Sequence, residues 1–153
     1  MTADTTTVRP RSTSAGVIAA GVLVAIIVSV ALNAAVAAIA HAAGASHEFE
    51  ALEFGAYTFL TIIGILVATA VWALIRARAS NPRKLLSILV PAVVAVSLVP
   101  DVLVGAQGDS ATPGVSWGAM IALMSMHLII TAVTVPILLR VLPLPADRAD
   151  RDR

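Results

Sequence analysis

Residues 76–84, RARASNPRK, separate two long apolar runs and hold four of the ten Lys and Arg residues in this chain of 153. The other six lie at the two ends. Arg9 and Arg11 precede the first apolar run, and Arg140, Arg148, Arg151 and Arg153 close the fourth or follow it. The two remaining connections carry Glu48, Glu50, Glu53 and Asp109, with no Lys or Arg. Short basic loops stay on the cytoplasmic side during insertion. The pattern therefore predicts four membrane spans with both termini inside.

Composition agrees. The hydrophobic fraction is 59% and the mean hydropathy +0.95, against roughly 45–50% apolar residues in soluble domains. The charged fraction is 12%, about half the usual ~25%. A soluble domain cannot hide that much apolar surface, whereas a bilayer requires it outside. The length accommodates four spans of ~20 residues each and no second domain. A net charge of +1 leaves no nucleic-acid footprint, and the lipid bilayer is the expected partner. The absence of cysteine excludes disulfides, thiolate metal sites and dithiol chemistry.

The expected architecture is an all-α four-helix transmembrane bundle, residues 15–142, with spans of about 15–39, 54–75, 85–104 and 115–139. Residues 1–14 and 143–153 read as disordered cytoplasmic tails, polar and Thr-rich in one, alternating Asp and Arg in the other. A cleaved signal peptide competes for the first run, because residues 40–42 offer small residues at a cleavage-like spacing. A signal core is typically only 7–15 residues, and this run is far longer. Phe54 and Tyr57 are expected at the outer interface, with Trp117 as outer anchor of the fourth span.

Asn81-Pro82 reads as a helix start, a cap followed by a first-turn proline. Pro91 and Pro100 fall inside the third span. Each removes a backbone bond, and the carbonyls of Ser87 and Val96 then need another partner. That helix is expected to be kinked at both prolines and packed against protein around them.

Polar side chains kept within spans usually face the bundle interior or a wet cavity. Asn33, Asp101 and His127 stand out. A helical step of 100° puts Ser116, Met120, His127, Thr131 and Thr134 on one stripe of the fourth span. Ser97 shares a face with Asp101 in the third, Ser29 shares one with Asn33 in the first, and Thr58 and Thr61 lie on the second. The candidate polar cluster is thus Asn33, Thr61, Ser97, Asp101, His127 and Thr131, set toward the outer half of the bundle. One reading is a small outward-opening cavity in which Asp101 exchanges protons with His127. The plainer reading is helix-to-helix bonding, with Ser and Thr hydroxyls turned onto their own backbone.

Other chemistries lack parts. A copper site of His127 with Met120 or Met124 has no second His or Cys within the membrane, and a two-His haem fails because His41 and His47 lie at the outer loop. The small multidrug transporters match in size, but their buried Glu in the first span has no counterpart here. No cofactor, metal or catalytic residue is expected.

SLVPD at 97–101 and MSMHLIITAVTVPILLRVLP at 124–143, with Asn33 and the Asn-Pro-Arg before the third span, carry a resemblance. Over residues 15–143 the chain resembles small four-span actinobacterial membrane proteins of unknown function, some loosely labelled cell-envelope proteins. The resemblance implies the four-helix membrane fold and brings no activity. The functional expectation is a non-enzymatic accessory or envelope-associated component of the cytoplasmic membrane, partnered by a second copy or another membrane protein. The alternative is a small proton-linked transporter using Asp101 and His127. A lipid-directed enzyme with His127 as base lacks a visible nucleophile-base-orienter set.

Overall fold

The structure, a computed structural model, describes residues 14–108 and 112–145. Of the predicted tails, 1–14 and 143–153, residues 1–13 and 146–153 fall outside the described residues. Among those described are four long helices: α1 (Ala15–Ala42), α2 (Phe54–Arg78), α3 (Pro82–Gln107) and α4 (Trp117–Val141), with a 3-10 turn at Glu50–Leu52. Each runs 25–28 residues, about 37–42 Å at 1.5 Å per residue. All four are long and apolar enough to cross a membrane. The molecule is an integral membrane protein built as a helical bundle.

Local chemistry sets the helix starts. Ser14 Oγ accepts from the Val17 amide at 3.3 Å, Asn81 Oδ1 from Lys84 at 2.9 Å, and Ser116 Oγ from Ala119 at 3.2 Å. Each satisfies an amide that the first helical turn leaves over. Pro82 sits in the first turn of α3, as the sequence predicts.

Packing is uneven. α1 pairs most extensively with α4 and next with α2, while α3 leans on α4 and meets α2 thinly. On α1 the buried residues Ala25, Ser29, Asn33 and Ala37 recur every four positions, a ridge of small side chains that admits close neighbours. Near the basic end, a Cβ added to Gly21 would stand 2.6 Å from Val141 of α4.

Two apolar clusters fill the ends. At the end away from the basic loop, Phe49, Leu52, Tyr57, Met120 and Met126 pack with Ala37 and Ala119. At the basic end, Trp72, Leu86, Leu138 and Leu142 pack together, with Leu144 against them. The chain therefore still packs at 142–144, where the sequence suggests a solvated tail from 143 onward.

Two further details depart from expectation. Phe54 is exposed, but Tyr57 is buried in the core and meets Phe54 edge-on, with ring centroids 5.6 Å apart. The Glu50–Leu52 turn carries Leu52 inward and closes the loop over that ring. In α3, the helix runs unbroken through Pro91 and Pro100, and both rings are exposed instead of packed against protein. Trp117 is exposed, as an interfacial anchor requires.

Candidate functional site

Burial of polar side chains selects the site. Asn33 and Thr61 are both fully enclosed, because each lies one helical turn along a buried ridge: 29, 33, 37 on α1 and 57, 61, 65 on α2. Asn33 Nδ2 donates to Thr61 Oγ1 at 3.1 Å. This bond joins α1 to α2 where lipid offers no competing water. One turn away, Ser29 Oγ is buried without a hydrogen-bond partner among the described residues, as is Asn33 Oδ1.

The second pair joins α3 to α4. Asp101 is buried, and its Oδ2 lies 3.4 Å from His127 Nδ1. The same nitrogen is 2.9 Å from the Leu123 carbonyl oxygen. A carbonyl only accepts, so Nδ1 carries the hydrogen and leaves Nε2 as the basic position in the neutral ring. Asp101 approaches that N–H from the side, in contact without an aligned bond of its own. The dyad holds an acid and a base side by side.

The other two candidates stay with their own helices. Ser97 Oγ donates to Val94 O at 2.8 Å and Thr131 Oγ1 to His127 O at 3.0 Å. Ser125 behaves likewise toward Ile121. The hydroxyl protons nearest the dyad along α3 and α4 are thus held by backbone. On the α4 stripe, Met120 and Thr134 are buried, His127 and Thr131 half-buried, and Ser116 serves as the cap.

Two cavities lie toward the basic end. One, of about 470 Å³, opens between α2, α3 and α4 and is lined by Gly64, Trp72, Leu86, Val90, Thr134 and Leu138 among others. The Thr134 hydroxyl at its wall has no partner among the described residues. The other, of about 620 Å³, runs along α1 and α2 past Ile18, Val22 and Leu66. Neither is lined by Asn33–Thr61 or Asp101–His127.

A family model described as a family of unknown function, DUF6069, matches residues 13–143. The chain belongs to the DUF6069 family. No curated protein and no solved structure matches this DUF6069 protein. The family match spans all four helices and both polar pairs, and the dyad residues Asp101 and His127 lie within it.

Sequence reasoning missed three contacts. Trp72 Nε1 donates to Leu142 O at 3.1 Å, and Arg76 Nε to Pro143 O at 2.7 Å. Together they clamp the end of α4 to α2. The burial of Trp72 depends on where residue 142 passes, which the sequence does not give. The third is at the loop between α1 and α2. There the His41 and His47 rings stack at 4.0 Å with 11° between planes, and His47 Nδ1 lies 3.3 Å from Glu53 Oε1.

Proposed function

We propose that this DUF6069 protein is a non-enzymatic accessory component of the cytoplasmic membrane, acting through helix packing with α3 as its docking element. What supports this reading is the way α3 is held. Its buried residues are Pro82 and Leu86 at one end and Asp101 near the other. Between them its side chains are exposed or half-buried, beside the apolar cleft of about 470 Å³. Lipid tails fill such a cleft weakly, whereas an apolar helix of a partner gains packing along its length. The basic loop and the acidic connections support placing both termini in the cytoplasm.

The cysteine-free chain makes the test clean. Single cysteines at Val93 and Val96 on α3, and at Ile27 on α1, are all exposed positions. In native membranes the α3 positions are expected to cross-link to a second copy or to one other membrane protein, and Ile27→Cys is not. Equal cross-linking at all three, or none, overturns the reading.

A second reading follows from the dyad. A buried carboxylate beside an imidazole, within helices that cross the bilayer, suits a proton-linked carrier. In proteoliposomes, Asp101→Asn and His127→Ala are then expected to insert normally and lose a proton flux that the unaltered chain supports. Normal flux in both variants overturns it.

A further inference from the structure

We infer that the loop joining α1 to α2 forms a binding site for a borderline divalent metal ion of the zinc class, with His41, His47 and Glu53 as ligands. One ring nitrogen of each histidine and a carboxylate oxygen of Glu53 all lie within 4.8 Å of one another. Two imidazoles and one carboxylate match the ligand set of zinc and its first-row neighbours, while calcium and magnesium select all-oxygen sites.

The three residues lie within one stretch, 41–53, and the local fold brings their side chains together. His41 belongs to the last turn of α1, His47 to the loop and Glu53 to the cap of α2. Gly44, with φ of +98°, turns the backbone back on itself between the two histidines. Phe49 and Leu52 are buried in the apolar cluster and hold the loop down from below. The ligands thus sit on an anchored support.

The ring hydrogen bond of His41 is already that of a metal-binding histidine. His41 Nδ1 lies 3.1 Å from Ala45 O, so it donates there and leaves Nε2 for an ion. A backbone carbonyl on the far ring nitrogen is the usual orienting partner of a ligating imidazole. Ligands at about 2.0–2.2 Å from zinc stand roughly 3.3–3.5 Å apart in a tetrahedron. Closing the cluster requires only rotation of exposed side chains, His47 being 79% and Glu53 47% exposed. Water completes the shell. Glu48 and Glu50 add negative charge, and no Lys or Arg lies between His41 and Glu53. Cations are therefore drawn to this face. A bound ion ties the end of α1 to the start of α2.

The test uses the full chain, purified in detergent without a polyhistidine tag and titrated with cobalt(II). The expected result is one equivalent of cobalt with the intense visible absorption of a four-coordinate ion, displaced by zinc but not by excess calcium or magnesium. His41→Ala, His47→Ala and Glu53→Gln each weaken binding about tenfold or more. His47 is too exposed for its loss to unfold the chain, so His47→Ala decides. Full cobalt affinity in that variant, no cobalt uptake by the unaltered chain, or displacement by calcium each overturns the site.

Discussion

At the scale of single residues, the bundle is marked by polar atoms that lipid does not tolerate unaccompanied. His127 is the sharpest case, because Asp101 is buried against it. Replacing His127 by Leu leaves the carboxylate without its neighbour near one end of α3, where an acidic side chain costs less than the ~2.5–3.5 kcal/mol of the bilayer centre. His127→Leu is therefore expected to destabilise the protein by less than that figure in denaturant titrations, and Asp101→Asn by clearly less again. Adding Asp101→Asn to His127→Leu is expected to restore most of the loss, since no charge then remains to be accommodated. Additive losses would show that the two side chains do not interact. Asn33→Ala removes a neutral bond to Thr61, and its expected cost is about 0.6 kcal/mol and at most about 1.7. The inward placement of Asn33 and Asp101 was legible from the cost of exposing them to lipid. Their partners were not, because periodicity assigns a residue to a helix face and does not say which helix that face meets. Ser97 and Thr131 share the right faces, yet their protons go to their own backbones. The two histidines of the loop were separable in sequence by six positions and joined only by the reversal at Gly44.

At the scale of elements, the apolar runs foretold every helix but set each C-terminal end short. The runs at 15–39 and 85–104 became Ala15–Ala42 and Pro82–Gln107, since hydropathy reports where lipid stops and the backbone ladder continues beyond it. What hydropathy does not register is closeness of approach. Gly21 lies against Val141 and Ile137, with a hypothetical Cβ at 2.6 Å, whereas the same test at Gly64 meets nothing within 4 Å. Gly21→Val is accordingly expected to force α1 from α4 and cost about 1–3 kcal/mol through overpacking. Gly64→Val enters the open cleft beside α3 and is expected to be tolerated. Thermal unfolding in detergent separates the two. If Gly64→Val is the more damaging, the cleft is closed in solution and α3 is held along its whole length.

At the scale of the whole molecule, the decisive quantity is which way the bundle faces, because that places the polar loop and its histidines on one side of the bilayer. Charge is distributed unevenly between the two ends. Arg76, Arg78, Arg83, Lys84 and Arg140 gather at one end, while Glu48, Glu50 and Glu53 occupy a loop at the other. In the orientation we propose, the first end stays in the cytoplasm, because carrying basic residues across during insertion is costly. Ser80 and Glu48 are exposed on these opposite connections, and native thiols are absent. A membrane-impermeant maleimide added to intact cells is expected to label Glu48→Cys and to spare Ser80→Cys until the membrane is opened. Labelling of Ser80→Cys alone would invert the bundle, turning the histidine loop toward the cytoplasm, where its metal supply and its partners would be of another kind. Labelling of both in intact cells would mean that the basic loop does not command orientation. The energetic difference between the two orientations would then have to come from elsewhere in the chain, the terminal Arg residues being the next largest concentration of charge.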